Sequence, residues 1–130
     1  KLRVVVEGDK VFATPRELIV LPYFIRRMMR KGVNYVEDSF SAECKDAVVR
    51  IKPFLITRKK VSRAVRKALM EEAKKELTEY VKTKEIGELF DEIIKNKVQK
   101  LLSLKLKKIY PLSLCEIRVF GIEKDISQAK

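Results

Sequence analysis

Between Asp46 and Glu71 the chain runs 24 residues without an acid, and in that window it places Arg50, Lys52, Arg58, Lys59, Lys60, Arg63, Arg66 and Lys67. Cations at this density repel one another on folding, and the arrangement is better tolerated when a polyanion neutralises it. The chemistry these residue types do together is phosphate binding. A guanidinium chelates phosphate through two N–H donors and stacks on bases, whereas an ammonium acts as a point charge. A second cationic group, Arg26, Arg27, Arg30 and Lys31, lies upstream. Farther on the signs separate: Glu71 to Glu92 holds eight acids against four lysines, and Lys95 to Lys108 holds six lysines and no acid. A surface built only for solubility mixes its charges, so segregation of this kind makes a directional field that orients a polyanion.

Other chemistries lack their residues. The chain has no histidine, which removes the commonest general base, and Cys44 and Cys115 show no metal-ligand spacing. No zinc knuckle, metal site or Cys-His nucleophile can be assembled, and two reduced, buried cysteines in an intracellular protein are expected. Gly8, Gly32, Gly87 and Gly121 form neither a GxxxxGK nor a GxGxxG loop. The acid pairs Glu71/Glu72 and Asp91/Glu92 are neighbours on helices and so do not face each other. No enzyme, cofactor or small-molecule substrate is therefore expected. The longest apolar run, Leu18 to Ile25, has eight residues and contains Pro22, far short of the roughly 20 that span a bilayer. No membrane partner is expected.

At 130 residues, 46% hydrophobic and with a net charge of +12, the chain is long enough for one domain with a real core and carries an unusual positive surplus. The elements that position the cations follow from pattern. Leu2 to Glu7, Gly8-Asp9 and Lys10 to Thr14 read as a hairpin, and Pro15 to Leu21 as irregular or a short strand. Pro22 opens a helix that Gly32 ends, with Phe24, Ile25, Met28 and Met29 on one face and Arg26/Arg30 and Arg27/Lys31 as i,i+4 pairs on the other. Val33 to Cys44 and Ala47 to Thr57 read as long strands, with Tyr35, Phe40, Val49, Ile51 and Phe54 as core and Pro53 at an edge or a bulge.

Ser62 then caps a helix with Val65, Ala68, Leu69, Ala73, Leu77 and Tyr80 inward and Arg63, Arg66 and Lys67 outward. Thr83 caps a second helix carrying Ile86, Leu89, Phe90, Ile93 and Ile94, and Asn96 separates it from a third that Pro111 stops. Leu114 to Glu123 is a last strand and Lys124 to Lys130 a polar tail. The aromatics Tyr23, Phe24 and Tyr110 adjoin basic residues, where stacking on bases competes with the stronger expectation of core packing.

The fold class expected from this order is α+β, a mostly antiparallel sheet or partial barrel with a C-terminal cluster of about three helices and a final strand. One RNA-binding domain is expected over 1–130: 1–57 β-rich with one helix, 58–111 helical, 112–123 the closing strand and 124–130 the tail. No RNP aromatic signature, GXXG loop or zinc-finger spacing is present, so nucleic-acid shape is the expected source of specificity.

The strand Ala47 to Thr57, then Thr57-Arg58-Lys59-Lys60, Arg63-Ala64-Val65-Arg66-Lys67 and Lys107-Lys108-Ile109-Tyr110-Pro111-Leu112 resembles the archaeal and eukaryotic small-subunit ribosomal protein family S-three-Ae, or e-type S-one. The Phe24-Ile25-Arg26 to Arg30-Lys31 segment is similar to a helix of that family. The resemblance covers about Phe24 to Glu123, and Ile-Tyr-Pro-Leu with its preceding lysines is its most specific piece. It implies a structural protein bound to small-subunit ribosomal RNA on the platform, close to the messenger exit and beside other ribosomal proteins, in the cytoplasm. Against that family the chain is expected to lack the N-terminal segment, since Lys1 begins directly in a strand without an initiator methionine.

The RNA-binding residues expected are Arg26, Arg27, Arg30, Lys31, Arg50, Lys52, Arg58, Lys59, Lys60, Arg63, Arg66 and Lys67. The alternatives to a ribosomal component are an off-ribosome RNA-binding or translation-associated module without catalysis, and a nucleic-acid-processing enzyme with its active site upstream.

Overall fold

Every second residue from Ala47 to Leu55 is apolar and close-packed, which is what a strand does when one face rests on helices. The computed structural model, which describes residues 1–125, makes this segment the centre of the molecule. In chain order the elements are β1 (Leu2–Glu7), β2 (Lys10–Pro15), β3 (Glu17–Ile19), α1 (Pro22–Met28), β4 (Tyr35–Glu37), β5 (Phe40–Glu43) and β6 (Ala47–Thr57). Then follow α2 (Arg63–Lys82), α3 (Ile86–Ile94), α4 (Lys97–Leu106) and β7 (Leu112–Asp125). The class is α+β, as expected.

β1 and β2 form a separate two-stranded hairpin around the Gly8 turn. The other five strands make an antiparallel sheet in the order β3-β7-β6-β4, with β5 also on β6. β6 has 11 residues and β7 has 14, and three register shifts, at Val48/Val49, Lys52/Pro53 and Ile56/Thr57, absorb the difference. Each shift leaves one β7 residue unopposed: Glu123, Arg118 and Ser113. Bulges of this kind raise the local twist and bend a strand, which curls the sheet around its helices. Pro53, with no N–H to give the ladder, sits at the middle bulge of a central strand; the edge alternative does not hold.

The helical layer covers the face of Val49, Ile51, Leu55, Cys115, Ile117 and Phe120. α2 contributes Leu69, Ala73, Leu77 and Val81 at i+4 spacing, α3 Leu89, Phe90 and Ile93, and α4 Val98, Leu102 and Leu106. Phe90 packs edge-on against Phe120 at 5.1 Å. Phe54 and Ile56 alternate with Leu55 and project to the opposite face, where both are buried. Cys44 and Cys115 are free. Burial pushes the Cys115 thiol up to about 12, which suppresses its thiolate and leaves it inert.

Five local expectations are corrected. The helix begun by Pro22 ends at Met28 because Met29 is already extended, so Arg30 and Lys31 lie in a loop and the i,i+4 pairs with Arg26 and Arg27 do not form. Val33 to Cys44 is broken at Asp38-Ser39 into two short strands, both paired with β6. Tyr35 is 51% exposed and belongs to no core. Ile94 is exposed as well, on the outer side of α3.

The fifth concerns Thr83, which closes α2 instead of capping α3. The α3 N-terminus is capped from the β5–β6 turn, where the Asp46 carboxylate accepts the Ile86 N–H at 3.0 Å. The expected strand Leu114 to Glu123 runs from Leu112 to Asp125, and the tail beyond it lies outside the described residues.

α2 and α3 are also joined by a small polar cluster. Glu92 accepts from the Tyr80 hydroxyl and from Lys84 Nζ at 2.7 Å. Burial alone would raise the Glu92 carboxyl, but hydrogen bonds from Lys84 and Tyr80 hold it below the ordinary glutamate range. A depressed carboxyl contributes stability that is present above its unfolded value and is lost as pH falls through the folded one. The acid-side loss of stability in Glu92→Gln, followed by urea midpoints below about pH 5, is therefore shallower than in the parent. Leu69→Ala, at a site with no solvent exposure, lowers unfolding free energy by about 2–5 kcal/mol; Ile94→Ala stays within about 0.5 kcal/mol.

Candidate nucleic-acid interface

The basic loop after β6 is held by a polar clamp at its base. Thr57 is fully buried. Its hydroxyl accepts the Asn34 N–H at 3.0 Å and donates to the Lys59 carbonyl at 2.7 Å. Its own N–H donates to the Asn34 carbonyl at 2.9 Å, and the Asn34 side chain accepts the Val61 N–H at 2.8 Å. Lys31 is three residues from Asn34, a reach of at most about 10 Å, and Arg58 follows Thr57 directly. Two clusters far apart in sequence, Arg30-Lys31 and Arg58-Lys59-Lys60, are thereby brought to one end of the molecule. All five side chains are exposed.

α2 begins beside them. Ser62 caps it, its hydroxyl accepting the Val65 N–H at 3.3 Å. The first turns then set Arg63, Arg66 and Lys67 along an open groove of about 360 Å³ whose other wall is Tyr35, Val36 and Glu37 of β4. Lys67 approaches Glu71 at only 4.0 Å. Among the described residues, Arg58, Lys59, Lys60, Arg63 and Arg66 have no acid within salt-bridge distance, and Arg66 Nε is buried without a hydrogen-bond partner. The one carboxylate in the groove, Glu37, is held by Arg118 at 3.2 Å.

The remaining expected residues divide. Arg50 lies mid-sheet and is neutralised by Glu123 at 2.5 Å, with Ser39 and Ser41 completing the network. Lys52 shares a hollow with Glu37, Asp38 and Arg118, where the signs are mixed. Arg26 and Arg27 are exposed on the last turn of α1. In the lysine-rich stretch, Lys105 binds Glu76 at 2.6 Å and Lys95 binds Asp91 at 3.0 Å, while Lys97, Lys100, Lys107 and Lys108 stay exposed. Of the aromatics, Tyr110 packs against the core, Phe24 is half-buried and Tyr23 is exposed.

Sequence reasoning missed Asn34 and Thr57, the residues that join the two patches, because nothing local marks a pairing 23 residues apart. It also misplaced Tyr35, although the signal was there: Tyr35 is in phase with Glu37 and out of phase with Val36, and a period of two puts it on the polar side.

The clamp thus sets a largely unneutralised cationic end on a bulged antiparallel sheet backed by three helices. The chain belongs to the Ribosomal S3Ae family, whose sequence model matches residues 4–125. It is similar to the protein described as small ribosomal subunit protein eS1 of Nanoarchaeum equitans (strain Kin4-M), with 29% identity over 119 residues that cover 91% of this chain. The chain spans 60% of that relative's length.

The clamp is tested by Thr57→Val, which keeps the shape and removes the hydroxyl. It leaves the Asn34 N–H and the Lys59 carbonyl unpaired, and the expected loss is about 1–3 kcal/mol in urea unfolding. Faster amide exchange at Val61 accompanies it, because the loop loses its anchor.

Proposed function

We propose that this chain is a non-catalytic component of the small ribosomal subunit that holds ribosomal RNA by neutralising its phosphates. Family membership supports the ribosomal setting. The observation that carries the RNA contact is the set of cations without an acid partner at the clamped end, Arg58, Lys59, Lys60, Arg63 and Arg66, with Lys67 only loosely paired to Glu71 and with Arg30 and Lys31 brought beside them. Elsewhere in the described structure acids are spent on cations, as at Arg50, Lys84, Lys95, Lys105 and Arg118. Leaving one end unneutralised is costly to an isolated protein and favourable to one seated on a polyanion. Arg26, Arg27 and Lys52 serve as outlying phosphate contacts, and Arg50 orients the sheet face through Glu123. The setting is the cytoplasmic ribosome, with neighbouring small-subunit proteins as the other partners and no cofactor.

The replacement Arg58→Ala/Lys59→Ala/Lys60→Ala lowers the slope of log affinity against log salt by about two to three units when all three touch phosphate. The double change Arg50→Ala/Glu123→Ala removes a pair that is already neutral and leaves the slope where it was. An unchanged slope in the triple variant would show that the loop is only solvated. In a lysate gradient the protein is expected to travel with the small subunit through high salt; sedimentation free of subunits would favour an off-ribosome RNA-binding module.

A further inference from the structure

The outward side of α4 carries apolar residues that the fold does not use. Val98, Leu102 and Leu106 go to the core, whereas Leu101 and Leu104 are 45% and 66% exposed. A single exposed leucine is ordinary, but these two lie one turn apart inside a frame of lysines. Leu101 has Lys97 and Lys105 four residues to either side, and Leu104 has Lys100 and Lys108, which places all six on one helical surface. The frame continues past Leu106, because Lys107 keeps the right-handed helical conformation and its N–H donates to the Ser103 carbonyl at 3.0 Å. Lys105 is spent on Glu76 at 2.6 Å. Lys97, Lys100, Lys107 and Lys108 are exposed, and among the described residues none of them has an acid within salt-bridge distance.

We propose that this face of α4 docks an acidic amphipathic helix of a neighbouring protein, its apolar residues packed on Leu101 and Leu104 and its carboxylates paired with Lys97, Lys100, Lys107 and Lys108. Leucines three residues apart are the a and d positions of a helix-helix seam, and Lys100, Lys105 and Lys107 then fall at the flanking e and g positions, which select the partner by charge. A second copy of the chain would set lysine against lysine there, so the complement is an acidic helix. Nucleic acid fits the face less well. Its phosphates could meet the lysines but would leave both leucines in water, and no arginine occurs between Arg66 and Arg118, although arginine is the residue that grips phosphate through two donors. From Lys97 to Lys108 the stripe is about 16 Å long, roughly three helical turns, so the contact is small and reversible. The inference uses no residue of the clamped end and stands apart from the RNA contact.

The test is fluorescence anisotropy of the full chain with a labelled helical peptide that carries a leucine seam flanked by glutamates, against a peptide of equal charge whose leucines are changed to glutamine. The parent protein is expected to bind the leucine peptide about tenfold more tightly than the glutamine one, the size of one buried leucine. Leu101→Gln/Leu104→Gln abolishes that preference and keeps the parent's affinity for a paired RNA stem. Lys100→Gln/Lys107→Gln weakens the leucine peptide about tenfold and flattens its salt dependence. Equal binding of the two peptides by the parent, or a leucine variant that keeps the preference, overturns the docking face. So does a leucine variant that loses the RNA stem while the parent ignores both peptides, which would assign the face to nucleic acid, and so does binding to anionic lipid vesicles alone, which would assign it to a membrane surface. Both leucines are exposed, so their variant is expected to unfold at the parent's urea midpoint, and the comparison of the two peptides on the parent needs no variant at all.

Discussion

The pairing of β6 with β7 is the constraint on which the other elements depend. β6 lies at the centre of the sheet with β4 and β5 on one side and β7 on the other, and its helix-facing residues supply the floor of the core. The two strands differ in length by the three bulged residues of β7, and none of these is idle. Ser113 donates to the Ile56 carbonyl at 3.3 Å, Arg118 holds Glu37, and Glu123 holds Arg50 and Ser41. Each bulge turns a polar side chain out of the ladder and ties a neighbouring strand to it, so the irregularities that curl the sheet also fix its outer face.

That outer fixing governs the electrostatics. The chain has 30 basic and 18 acidic residues, and what matters is where the acids are used. Glu123, Glu37, Glu92, Glu76 and Asp91 are drawn into pairs that support the sheet or the helices. Among the described residues the loop after β6 and the first turn of α2 receive none, and Lys67 meets Glu71 only at 4.0 Å. Exposed pairs of this kind contribute little individually to stability, but by consuming acids away from the clamped end they leave its positive field undiluted. The Thr57-Asn34 clamp then gives that field a fixed shape, because a loop of three adjacent cations would otherwise spread.

Much of this was legible from residue order. The hairpin around Gly8, the capped helix at Ser62 and the closing strand each follow from local signals that survive in the fold, whereas the third helix ends at Leu106, before Pro111 can stop it. Local signals failed where a distant residue supplied the missing group. Thr83 reads as a cap for α3, but Asp46, 40 residues away, makes that hydrogen bond. Periodicity carries the Pro22 helix to Gly32, yet it ends at Met28, and the chain beyond it leads to the contact of Asn34 with Thr57. Residue type alone puts Tyr35 in the core, and the alternation with Val36 overrides type.

For the candidate site the division is similar. The identity of the cations, the acid-free window and the sign of the field were determined by the sequence, since charge is a property of composition and needs no geometry. Which cations are free was decided by tertiary structure alone: Arg50 and Arg58 look alike in the chain, but a bulge places Glu123 against one and nothing against the other. The same holds for the union of Arg30-Lys31 with Arg58-Lys59-Lys60. Those arrangements depend on hydrogen bonds and packing between segments far apart in the chain, and such contacts exist only after the entropy of bringing the segments together has been overcome by the core.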